Sequence, residues 1–210
     1  MIVLQPVLEV HASDDFDLWP VADITAYGFL PLSGALTPEQ VGTAVKRIAE
    51  CNDIDPEVDD RPARPDEPLG SLLHGLLTMD HLFAAGGLRV TDTATGITLL
   101  PGCCSGLGER RDWLGLLDGD GCASFGHDPS PLAERFGGTV RLTVDAEQDD
   151  GPVIELSPSR WGDLLDGAEH DLNDFLGLVA SWAERQLPEH RGSVVPAIAR
   201  ALDLPAPPTA

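Results

Sequence analysis

The residues best able to do chemistry fall between positions 101 and 131. This stretch reads Pro-Gly-Cys-Cys-Ser-Gly, then Arg-Arg-Asp-Trp, then Asp-Gly-Asp-Gly-Cys, then Gly-His-Asp-Pro. Cys103, Cys104, Cys122 and His127 supply the sulfur and nitrogen donors that a tetrahedral zinc ion takes. Their spacing departs from the common zinc modules, which pair cysteines as C-x2-C, and adjacent cysteines reach one ion awkwardly. A thiolate nucleophile is the second chemistry these residues suit. Cys104 or Cys122 would need an imidazole alongside, and His127 followed by Asp128 is the nearest in the chain. Cys103 and Cys104 also precede a predicted helix start, where the helix dipole favours a thiolate. The plainer expectation is that the cysteines are small buried apolar residues. On that expectation Gly126-His127-Asp128-Pro129 is a tight turn whose imidazole bonds to backbone.

Other constellations are weaker. Asp118-Gly-Asp120-Gly opens like a calcium loop, but Cys122 takes its fifth place and Pro129 its twelfth, where oxygen ligands belong. Asp53, Asp55, Glu57 and Asp59 alternate without the central glycine of such a loop. His74 and His81 are expected on the outer face of a helix. Asp163, Asp166, His170 and Asp174 form a stripe expected to be a solvated helix face. No dinucleotide fingerprint, P-loop, H-E-x-x-H or G-x-S-x-G pattern occurs in the chain.

The charge is the strongest global feature. Thirty-five acids against thirteen bases give a formal net charge of −22. That excess opposes phosphate-backbone binding and docking on anionic lipid, so neither nucleic acid nor a membrane is expected as partner. It suits a basic protein partner, because complementary fields raise the association rate and select the partner. Lys46 is the only lysine, and Arg, Ala, Gly, Pro and Asp abound, as expected of a GC-rich bacterial genome. Such loss of lysine acidifies a chain by itself, and a high net charge also serves solubility. The first residues carry no basic region and the cysteines follow no secreted framework, so a cytoplasmic, reduced protein is expected.

The elements that must position these residues read as follows. An N-terminal strand is predicted over 2–11 and a second extended segment over 19–32. A helix is predicted over 38–51, with Thr37 as cap, Pro38 in the first turn and Gln40 closing a capping box. Residues 52–68 hold four prolines and a run of acids, and read as an acidic loop. A leucine-rich helix follows at 69–79. A hairpin turns at Ala94-Thr95-Gly96, and a short helix covers 108–117. Residues 118–131 read as loop, and a second hairpin pairs 140–144 with 154–156. The last third is helical from Ser157-Pro158, interrupted in expectation by Gly162, Gly167 and Gly177, with a final helix over 192–202.

Together these predict an α+β fold: a small antiparallel sheet built from hairpins, with a helical C-terminal third. One domain is expected over 1–203, with a flexible tail over 204–210. The leading functional expectation is a non-catalytic acidic protein that binds a basic partner, of the kind found among toxin-immunity and inhibitor proteins. Trp19, Asp53, Asp55, Glu57, Asp59, Asp60, Asp149 and Asp150 are its expected contact residues. The alternatives are a zinc-binding protein using Cys103, Cys104, Cys122 and His127, a Cys/His enzyme using Cys104, Cys122, His127 and Asp128, and a structural subunit of a larger assembly.

Overall fold

A computed structural model of the chain describes residues 1–12, 15–24, 27–55, 61–118 and 121–205. Asp14, Glu57, Asp59, Asp60 and Asp120 lie outside the described residues. The fold is mixed α+β, with two small antiparallel four-stranded sheets and a long helix in the C-terminal third. The first sheet contains β1 (Ile2–Val10), β2 (Gly28–Pro31), β3 (Gly86–Asp92) and β4 (Thr98–Leu99), in the order β2-β1-β3-β4. The second is a meander of β5 (Cys122–Ser124), β6 (Leu132–Phe136), β7 (Thr139–Thr143) and β8 (Val153–Leu156). The helices are α1 (Pro38–Cys51), α2 (Pro68–Thr78), the short α3 (Gly115–Asp118), α4 (Pro158–Gln186) and α5 (Arg191–Ala201). A 3-10 helix over Leu107–Leu114 leads into α3.

Two compact units emerge. One comprises Met1–Val7 and Ala85–Asp171; the other comprises Leu8–Ala84 and Leu172–Ala210. In the first unit, period-two patterning produces the meander. Val140 and Leu142 of β7 face inward while Arg141 faces water, and Ile154 and Leu156 of β8 repeat that alternation. These residues bury against Leu88, Val90, Trp113, Phe125 and Trp161. Each such side chain contributes roughly 1.5–3 kcal/mol by leaving water. Trp113 stacks on Phe125 with centroids 3.7 Å apart, and the Trp161 indole donates to the Trp113 carbonyl at 3.2 Å.

In the second unit, α1 starts at the expected capping box. The Gln40 N–H donates to the Thr37 hydroxyl at 3.3 Å, and the Gln40 side chain accepts from the Thr37 N–H at 2.9 Å. Buried Asn52 ends the helix. Its amide donates to the Ile48 and Phe83 carbonyls at 2.7 and 2.8 Å, and its Oδ1 accepts from the Phe83 N–H at 2.9 Å. This satisfies the buried amide and fixes the segment after α2. α2 crosses Asn52 so closely that a Cβ on Gly75 would stand 1.7 Å from the Asn52 carbonyl oxygen.

Several expectations need correction. Trp19 is buried, 4% exposed, rather than a surface anchor. Its indole donates to the Gly42 carbonyl at 2.9 Å and packs edge-on against Trp182 at 5.4 Å, so the acids beside it in sequence do not keep it in water. His74 is also buried, with Nε2 2.7 Å from the Pro62 carbonyl, because α2 is covered on the face that carries it. His81 lies beyond the end of α2 and is exposed. The stretch 118–131 is not all loop, since β5 forms within it and β6 follows. The glycines do not divide α4, because its apolar stripe from Trp161 through Trp182 stays buried throughout. Ser157 caps that helix by accepting from the Arg160 N–H at 3.2 Å. Leu204 is buried and its N–H donates to the Ala199 carbonyl at 2.8 Å.

Two glycine substitutions are expected to move stability in opposite directions. Gly75→Ala forces backbone apart and should cost about 1–3 kcal/mol, as overpacking does. Gly167→Ala meets nothing within 4 Å on an exposed helix face, and should stabilise by up to about 1 kcal/mol. Thermal melts of the two variants check this, and equal effects would contradict it.

Candidate functional site

The structure gathers Cys103, Cys104 and His127 from two segments that are distant in sequence. Backbone bonding does this. The Gly102 N–H donates to the Phe125 carbonyl at 2.9 Å, the Cys103 N–H to the His127 carbonyl at 2.6 Å, and the His127 N–H to the Cys103 carbonyl at 3.3 Å. The result is an isolated antiparallel bridge between Cys103 and His127. Glycine is required on both sides of it. A Cβ on Gly102 would stand 2.3 Å from the Pro129 carbonyl oxygen, and one on Gly126 would stand 2.5 Å from the Cys103 carbonyl oxygen. The buried Ser105 hydroxyl ties the thiol segment down by bonding the Gly86 and Gly102 carbonyls at 2.9 and 2.8 Å. Phe125, in the core, anchors the other segment two residues before His127.

Three side chains converge on this frame. The Cys103 and Cys104 sulfurs are 3.4 Å apart. One donor atom from each of Cys103, Cys104 and His127 lies within 4.8 Å of the others. His127 Nδ1 is 3.2 Å from the Asp128 carboxylate. That carboxylate raises the imidazole pKa above its ordinary value near 6.5, the Cys104 side chain adds to the effect, and partial desolvation opposes it. All of these groups face solvent, the His127 side chain being 57% exposed.

The expected four-donor set is therefore corrected. Cys122 sits on β5 opposite Glu134 and is not in the cluster. The expectation of buried cysteines also fails for Cys103, Cys104 and Cys122, which are exposed. In place of the expected tight turn at Gly126–Pro129, His127 lies in the bridge and the chain bends at residues 128–129, and the imidazole bonds to the Asp128 side chain instead of to backbone. Nothing in residue spacing showed that positions 103 and 127 pair, because the bridge depends on how Phe125 enters the core.

The acidic candidates divide. Asp53 is exposed but paired with Arg64, which also bonds the Ser71 and Ile54 carbonyls. Asp55 is exposed. Asp149 and Asp150 are exposed on the turn between β7 and β8. Asp145 builds that turn by accepting from the Ser130 N–H, the Glu147 N–H and the Gln148 amide at 3.3, 3.1 and 2.7 Å. Asp163, Asp166, His170 and Asp174 are all exposed along α4.

The cations behave differently. Lys46 pairs with Glu50, Arg47 donates to the Glu9 carbonyl, and Arg61 to the Ile54 carbonyl. Arg64 holds Asp53, and Arg89 donates to Gln5. Arg110 holds Glu169, Arg135 the Leu116 carbonyl, Arg141 Glu155, and Arg160 the Ile2 carbonyl. At least nine of the thirteen basic side chains are thus engaged within the protein. Among the described residues, no helix is long and apolar enough to cross a membrane. Comparison with family models, with curated proteins and with solved structures finds no match to this chain.

The acidic turn carries a pH prediction. The Glu147 N–H, above all, holds the Asp145 carboxyl below its ordinary value of 3.8, with Gln148 and Ser130 adding to the effect and desolvation opposing it. A depressed carboxyl contributes stability above its unfolded pKa and loses it as pH falls through the folded value. Protection of the Glu147 and Ser130 amides, measured against their intrinsic exchange, should therefore persist as pH falls through the ordinary carboxylate range and be lost only below it. Protection already lost within the ordinary carboxylate range would contradict the assignment.

Proposed function

We propose that this chain is a non-catalytic, acidic binding protein whose partner is a basic protein. The single observation behind the reading is the division of labour among charges. At least nine of thirteen cations are engaged within the protein, whereas Asp149, Asp150, Asp163 and Asp166 face water. With 35 acids against 13 bases the outward field is negative, and such a field accelerates and selects the approach of a cationic surface. An immunity protein for a cationic toxin, or an inhibitor that occupies a nucleic-acid-binding surface, has this character. The same field repels nucleic acid and anionic lipid. Exposed thiols at Cys103, Cys104 and Cys122 suit a reducing cytoplasmic compartment of a bacterial cell. The exposed acids of the β7–β8 turn and of α4 replace Trp19 as the contact residues of this reading.

The test begins with the immobilised chain and the soluble fraction of its source cells at low salt. Retained proteins are identified, and the purified pair is then studied by association kinetics. A basic partner is expected, with an association rate that falls on the order of tenfold between about 0.05 and 0.5 M salt. The double variant Asp149→Asn/Asp150→Asn should slow association while leaving dissociation nearly unchanged. Affinity indifferent to both salt and these substitutions would overturn the reading.

A further inference from the structure

The converging thiols and imidazole offer a chemistry that the acidic surface does not use. We infer that Cys103, Cys104 and His127 form a three-donor site for a thiophilic d10 cation, zinc(II) in the cell, with Asp128 positioning the imidazole.

The donor set selects the ion class. Two sulfurs and one nitrogen suit zinc and its softer congeners, whereas calcium and magnesium require oxygen ligands. The distances fit. With zinc–sulfur bonds of about 2.3 Å, two sulfurs on one tetrahedral ion stand about 3.8 Å apart. The sulfurs here are 3.4 Å apart, so a few tenths of an ångström of rotamer adjustment admits the ion. The third donor lies within 4.8 Å of both sulfurs.

Adjacent cysteines reach one ion here because of the backbone. In an extended strand, successive side chains point to opposite faces. Cys104 instead adopts a left-handed conformation, φ 67°, which breaks that alternation. Such a conformation is uncommon for a residue with a Cβ and is held by its surroundings. The Cys103–His127 bridge and the Ser105 bonds hold it here. Much of the entropy of gathering three ligands is thereby spent in folding, before a cation arrives.

Asp128 completes the arrangement. Metal-binding histidines commonly donate their second ring nitrogen to a carboxylate, which fixes the tautomer. With Nδ1 facing the Asp128 carboxylate, Nε2 is the ligating nitrogen. Three protein ligands leave the fourth position to water or an outside donor, as in open zinc sites. The inference is independent of the basic-partner reading: a protein can hold the ion without the partner, or bind the partner without the ion.

The test uses the reduced full-length chain, stripped of metal. Zn2+ is titrated in competition with a chromophoric chelator, and Cd2+ is followed by its sulfur-to-metal charge-transfer absorption. One cation per chain is expected, together with a thiolate band that saturates at one equivalent of Cd2+. Cys104→Ser and His127→Ala should each weaken Zn2+ binding by at least about tenfold, and Asp128→Asn by about 10- to 100-fold. Cys122→Ser should leave it unchanged. Circular dichroism verifies folding of each variant. Should a variant misfold, the ring-nitrogen shifts of His127 in the native chain decide, with Zn2+ expected to move Nε2 more than Nδ1. No thiolate band at one equivalent, or Zn2+ affinity unaltered in folded Cys104→Ser and His127→Ala, would overturn the site. So would loss of binding in Cys122→Ser alone.

Discussion

The stacking of Phe125 on Trp113 is the contact on which the functional geometry depends. At 3.7 Å between centroids and 14° between planes, it commits residue 125 to the core of the first unit. The main chain on either side must then satisfy its polar groups locally. It does so by bonding Pro131 on one side and Gly102 and Cys103 on the other. His127 and the two thiols meet because of that constraint. Two glycines, at 102 and 126, remove the Cβ atoms that would prevent it. A core aromatic contact is thus converted into the placement of an exposed imidazole two residues away, beside the two thiols.

The charge distribution follows from a similar economy. Arginine donates in a planar fork and remains charged, so it is suited to tying carbonyls and carboxylates together. This chain spends most of its few cations in that way. Even the sole lysine is mostly buried, paired with Glu50 and set over the Phe16 ring at 5.2 Å. Carboxylates are used internally as well: Asp92 and Asp145 organise turns, Glu67 caps α2, and Glu50, Asp53, Glu155 and Glu169 take ion pairs. Pairing within the protein leaves the net charge of −22 unchanged, so the excess of carboxylates sets the sign of the outward field.

Legibility from sequence tracked the range of the interaction. The capping box at Thr37 and Gln40, the hairpin at 94–96 and the alternation of 140–144 are local, and all appear where expected. β5 and β6 were missed because they are short and Gly/Pro-rich segments flank them. β7 supplies the pairing for β6 and β6 in turn for β5, rather than their own patterning. For Trp19 and His74 the sequence neighbours suggest exposure, whereas their burial is decided by residues 182 and 62. Of the site, the residue types were legible and their grouping was not. Cys103, Cys104 and His127 stood out chemically, but the choice of three donors and the exclusion of Cys122 follow from tertiary pairing.

The most direct measurement of this account is native-state hydrogen exchange at the Cys103 and His127 amides. Each donates to the other residue's carbonyl in an otherwise irregular region. If the aromatic stack holds the two segments together, both amides exchange slowly in the native protein. Phe125→Leu should then accelerate them while the β7–β8 ladder stays protected. Exchange of Cys103 and His127 at the rate of an open loop in the native chain would contradict the account, because the ligating residues would then not be held together by the fold.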